Sequence, residues 1–76
     1  MEFIYTSHAM QNIIERRIPK NIIEDCIKNP DSIISSKKSR KIAQKVIGNK
    51  LLRIIYKETE KVYIVITVYF TKTGRY

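Results

Sequence analysis

One histidine, His8, and one cysteine, Cys26, stand among 15 lysines and arginines and five tyrosines in this 76-residue chain. That inventory excludes several chemistries. A single His and a single Cys, with no carboxylate cluster at ligand spacing, cannot build a typical zinc site, and no metal or cofactor is expected. With only Gly48 and Gly74 there is no glycine-rich phosphate loop. A Ser–His–Asp triad has no support beyond the presence of those residue types. What remains suits metal-free RNA cleavage, in which the ribose 2′-hydroxyl attacks the adjacent phosphate and the RNA supplies its own nucleophile. The protein then needs a base near the 2′-oxygen, cations around the phosphorane and an acid at the leaving oxygen. Histidine and cations can fill those roles, and tyrosines can stack a base. Tyrosines are also common strand formers, and a histidine in a first helical turn is often only a polar residue. The residue types alone leave both readings open.

The elements that must position these residues are legible in the spacing. Lys61–Phe70 alternates with period two over a full strand, rich in β-branched and aromatic residues. Val62, Ile64, Ile66, Val68 and Phe70 form a wholly apolar face that has to be covered. Tyr63, Val65, Thr67, Tyr69 and Thr71 form the other face, expected to stay open. Met1–Thr6 reads as an extended lead-in. Ser7 is the expected N-cap of a helix running to about Arg17, with Ala9, Met10, Ile13 and Ile14 on one side and His8, Asn12 and Arg16 as a polar stripe. A second amphipathic helix is expected over Pro19–Lys28, with Ile22, Ile23, Cys26 and Ile27 on a single arc. Cys26 is therefore expected to be buried and inert. Ile33 and Ile34 mark a short strand, and Lys41–Ile47 and Lys50–Lys57 mark a hairpin about the turn Gly48-Asn49. These elements predict one α+β domain over residues 1–76. Two N-terminal helices should pack on one face of a three- to four-stranded antiparallel sheet, with the last strand inside it. Arg53, Tyr63, Thr67 and Tyr69 are expected on the open face.

Charge is unevenly placed. Residues 1–35 carry four cations against five carboxylates, whereas residues 36–76 carry eleven against Glu58 and Glu60. The net charge of +8 thus belongs to the second half, which points to an anionic partner, most often nucleic acid. No apolar run is long enough to span a bilayer, and Met1–Ser7 has neither the basic region nor the apolar segment of a secretion signal. With a single cysteine as well, a cytoplasmic protein without membrane association is expected. At this size a partner subunit, possible as a homodimer, would add stability.

The pattern His8-Ala-Met-x-x-Ile-x-x-Arg16-x-Ile18-Pro, the Asn29-Pro30 pair, the basic hairpin and the ending Ile64–Tyr76 resemble a small uncharacterised domain family. That family is similar to the RelE/ParE and BrnT toxin superfamily, and the likeness covers nearly the whole chain. It implies a RelE-like helix–helix–sheet fold and, for many members, a toxin with endoribonuclease activity, neutralised by an antitoxin. Carried onto this sequence, it points to His8, Arg53, Lys72 and Tyr76 as catalytic residues. The resemblance adds Arg16, Thr67 and Tyr69 as substrate-binding residues, and the residue types alone add Tyr63 and Arg75. Two positions depart from the relatives: Asn12 stands where arginine is usual, and Arg17 where glycine is usual. The leading expectation is a metal-independent endoribonuclease of a toxin–antitoxin system, with RNA and an acidic antitoxin protein as partners. A non-catalytic nucleic-acid-binding module and a protein that only docks an antitoxin are the alternatives.

Overall fold

The computed structural model describes residues 2–72. Strand β1 (Glu2–Tyr5) leads into helix α1 (Ser7–Arg16) and helix α2 (Lys20–Lys28). Strands β2 (Ser32–Ser35), β3 (Arg40–Ile47), β4 (Lys50–Glu58) and β5 (Val62–Lys72) follow. They form one five-stranded sheet in the order β1-β5-β4-β3-β2. The α+β class, the two helices, the hairpin about Gly48-Asn49 and the interior place of β5 agree with the sequence reading. The strand count and the purely antiparallel arrangement do not. Residues 2–5 are a fifth strand, parallel to β5, with Tyr5 opposite Val65. The lead-in is too short and too mixed in polarity to announce a partner, and parallel pairing cannot be read from a turn.

The faces of β5 also need correction. Ile55 opposes Thr67 and Tyr56 opposes Val65, so a β-bulge sits at Ile66. An extra residue reverses the alternation. Val68 and Phe70 point to the helices as expected, but below the bulge Tyr63 and Val65 do so, while Val62 and Ile64 turn to the open side. Tyr63 stacks on Phe3 with ring centroids 5.1 Å apart and meets Tyr56 edge-on at 5.8 Å. It belongs to the core margin and is no part of an open binding face.

Both helices lie on one sheet face, because Ala9, Ile13, Ile23, Cys26 and Ile27 share a single core with Ala43, Leu52, Ile54, Tyr56, Val65 and Val68. Tyr56, Leu52, Ile54, Val65 and Val68 are almost completely enclosed. Cys26 is buried as expected, and desolvation pushes its thiol up to about 11. Ile14 departs from expectation at 70 % exposed, since α1 rests on the sheet through Ala9 and Ile13. Lys45 ties α2 down: its Nζ donates to Asp25 Oδ2 at 2.8 Å and to the Asn29 carbonyl at 3.1 Å. The Lys45 ammonium holds the Asp25 carboxyl below its ordinary value.

Helix α1 is the element that positions the rest. Its N-cap is Thr6, one residue earlier than expected: Thr6 Oγ1 accepts the Ala9 N–H at 3.1 Å and donates to the Ile66 carbonyl. Farther along, Asn12 Oδ1 accepts the Val68 backbone N–H at 3.2 Å. The side chain thus takes over a β5 donor beyond the point where β1 has left the sheet. The helix ends at Arg17, which adopts a left-handed conformation (φ 53°, ψ 49°), and the Ile18 N–H reaches back to the Ile13 carbonyl. A side chain pays about 1–2 kcal/mol in that region and glycine does not. Arg17→Gly is therefore expected to raise stability by roughly 0.5–1 kcal/mol after the larger unfolded-state entropy of glycine is deducted. Thermal denaturation should show a higher midpoint; a lower one would contradict the strain.

Candidate nucleic-acid interface

The ladder registers define what the sheet face turned away from the helices presents, a face left uncovered by the described elements except at its Leu51 end, where Leu51 is only 7 % exposed. One row crosses it as Thr67–Ile55–Ile42–Ile34, and the next as Tyr69–Arg53–Gln44–Ser32. Beyond the apolar row, Lys57 is directly opposite Arg40. Arg53 lies over the Tyr69 ring, its Cζ 5.6 Å from the centroid, a cation–π contact between cross-strand neighbours. Gln44 Nε2 donates to Ser32 Oγ at 3.0 Å. The shielded atoms Arg53 Nε and Gln44 Oε1 have no hydrogen-bond partner among the described residues. This row thus keeps hydrogen-bonding capacity directly beside the apolar row.

Two like-charged pairs stand out because cross-strand neighbours of one sign repel. Arg40 and Lys57 oppose each other on the uncovered face, and Lys50 and Lys72 oppose each other at the far end of β4 and β5. All four are exposed, and none has an ion pair among the described residues. Elsewhere the sheet balances its lysines: Lys41 meets Glu58 at 3.2 Å and Lys45 meets Asp25. The first pair was within reach of the sequence. A two-residue turn at Gly48-Asn49 pairs Ile47 with Lys50, and counting outward pairs Arg40 with Lys57. The second pair required the β4–β5 register, which the bulge alters and no residue announces.

The residues expected to act together are not gathered in one place. Arg53, Tyr69 and Thr67 share the uncovered face. His8 is exposed on the first turn of α1, which covers the other face. Lys72 follows Val68 and Phe70 in strand alternation and so leaves β5 on the helix side. Asn12 is level with Val68 and α1 runs along β5 towards Lys72. The rises of helix and strand then separate His8 from Lys72 by on the order of 20 Å. Arg16, in the last turn of α1, lies instead towards the Lys50–Lys72 end. Arg75 and Tyr76 lie outside the described residues. A hollow of about 520 Å³ on the outer side of α1 is lined by Tyr5, Ser7, Met10, Gln11, Ile14 and Glu15 and includes none of the expected site residues. Among the described residues, no group of three or more His, Cys, Asp or Glu side chains could hold a metal ion. No helix among them is long and apolar enough to cross a membrane.

A family model described as a domain of unknown function, DUF4258, matches residues 5–70. The chain belongs to that family. The match takes in His8, Arg16, Arg40, Arg53, Lys57, Thr67 and Tyr69, and it ends before Lys72. No curated protein and no solved structure matches this DUF4258 domain.

Proposed function

We propose that this DUF4258 domain binds single-stranded RNA on its uncovered sheet face. The observation that carries the reading is the joint placement of Arg53 over Tyr69 and the opposed cations Arg40 and Lys57 on that one face. An arginine over a tyrosine ring offers planar groups on which a splayed base can stack, and flanking cations track the phosphates. Like charges set opposite each other are unfavourable alone and become favourable when a polyanion lies between them.

The RelE-like toxin reading extends this one. In it the bound RNA is cleaved through its own 2′-hydroxyl, an acidic antitoxin segment competes for the same face, and the work is cytoplasmic. The separation of His8 from the remaining candidates favours a version without histidine, in which Arg53 neutralises the phosphorane. Lys72 leaves β5 on the helix side, so in that version Arg75 and Tyr76 would be the residues that act with Arg53 from the chain's end.

Fluorescence anisotropy with a labelled single-stranded RNA across a salt series, in chelator, tests both steps. Binding should weaken steeply with salt, and Arg53→Ala should weaken it by roughly tenfold through lost stacking and charge. Salt-independent or absent binding would refute the proposal. Analysis of the same samples on a denaturing gel reads cleavage, and a 2′-deoxy substitution at any cut must abolish it.

A further inference from the structure

The outer edge of the sheet is β2, an edge guarded chiefly by its shortness of four residues. Ser32, Ile33, Ile34 and Ser35 are all exposed, with Ile33 at 48 % and Ile34 at 43 %. Ser32–Ser35 contains no charge or proline, two of the features that discourage pairing with another chain, although Pro30 lies just before it and the Asp31 N–H joins the ladder out of register at the Gln44 carbonyl. β2 lies next to β3 alone in the sheet order.

The backbone phase of this edge follows from its inner side. Ser36 donates its N–H to the Arg40 carbonyl, and the β2–β3 register places Ser32 opposite Gln44 and Ile34 opposite Ile42. In an antiparallel ladder, alternate residues bond to one side. Ser32, Ile34 and Ser36 therefore bond inward, and Ile33 and Ser35 present their N–H and C=O groups outward.

We propose that β2 pairs antiparallel with β2 of a second copy of this chain, about a two-fold axis through Ile34 and perpendicular to the sheet. In that register Ile33 and the second copy's Ser35 exchange both backbone hydrogen bonds, as do Ser35 and the second copy's Ile33. The two Ile34 side chains meet at the axis on the uncovered face. They join the row Thr67–Ile55–Ile42–Ile34 to its symmetry mate, making one apolar band across both copies. The charges fit the same arrangement. Asp31, whose N–H and Oδ2 both turn to β3 at the Gln44 carbonyl and the Val46 N–H, would lie near the end of the second copy's β2, where Lys37 begins the turn, twice by symmetry. Parallel pairing would set Lys37 against Lys37. Shifting the antiparallel register by two residues keeps the backbone phase but loses both the Ile34 contact and the Asp31–Lys37 approach. The isologous contact consumes the open edge and closes the assembly at two.

The pairing is tested without RNA, so its outcome is independent of the proposed function. Sedimentation equilibrium should show a concentration-dependent dimer. Ser35→Pro removes an outward N–H that β3 does not use, and it should give a monomer with unchanged far-UV circular dichroism. Ile34→Cys places two thiols at the axis. Under mild oxidation it should form a disulfide dimer at least about tenfold faster than Ile14→Cys, although Ile14 is the more exposed residue at 70 %. The native Cys26 is buried and does not compete. A monomer at every concentration, a dimer indifferent to Ser35→Pro, or equal cross-linking of the two cysteine variants would each overturn the proposal. If Ser35→Pro fails to fold, the comparison of Ile34→Cys with Ile14→Cys decides it.

Discussion

Replacing Asn12 by leucine is expected to destabilise the domain by roughly 2 kcal/mol, because a buried N–H left without a partner costs about 1–3 kcal/mol. Leucine keeps asparagine's branched four-atom skeleton and suits a helix better, so propensity does not explain such a loss, although its methyl groups are bulkier than the amide. What leucine lacks is the oxygen that accepts the Val68 N–H at 3.2 Å. Val68 is completely enclosed and Asn12 is only 9 % exposed, so water cannot readily take over. Asn12→Arg should be at least as harmful, since a guanidinium only donates. Denaturant titration measures both variants. An unchanged midpoint for Asn12→Leu would show that the β5 edge is closed by something other than this side chain.

This residue also shows where sequence reading reaches its limit. From the sequence and the resemblance it suggests, Asn12 is expected to stand in a polar stripe of α1 where a cation would be usual. The structure makes it an acceptor inserted beside β5, because α1 takes up the line along β5 that β1 abandons at Tyr5. Local periodicity carries no information about which strand a helix will lie beside. The same limit explains Tyr63. Strict alternation from Val62 to Phe70 predicts its outward placement, and a single extra residue at Ile66 reverses it. The segment Ile64–Val68 is uniformly β-branched, so nothing local marks the bulge. By contrast, the hairpin faces were legible: Leu52, Ile54 and Tyr56 line the core and Arg53 faces away, because a two-residue turn fixes both register and parity. Candidate residues on β4 and upper β5 were therefore placed correctly. His8 lies across the sheet from them, because its place depends on the path of α1.

The charge reversal Arg40→Glu is expected to move stability and RNA affinity in opposite directions. In the fold it exchanges a repulsive cross-strand pair with Lys57 for an attractive one, a gain of roughly 0.2–1 kcal/mol at low ionic strength. In the proposed complex it removes one phosphate contact and adds a repulsive charge beside a second. The double variant Arg40→Glu, Lys57→Glu should lose roughly 10- to 100-fold in affinity, and its slope of log affinity against log salt should be shallower by about 2. The doubled glutamates repel as the cations did, so its stability should return to near that of the parent. Charge alone does not produce this pattern. Lys61→Glu, an exposed change beside β5, alters net charge equally and should leave both measurements nearly unaffected beyond a small general screening effect. Anisotropy titrations and thermal melts on the three variants give the comparison. If Lys61→Glu weakens RNA binding as much as Arg40→Glu, the interaction is with the overall +8 charge and not with the uncovered face. If Arg40→Glu weakens binding while raising the melting temperature, the opposed cations are held in place for a ligand at a cost to the fold. That is the relation expected of a binding site rather than of a solvated surface.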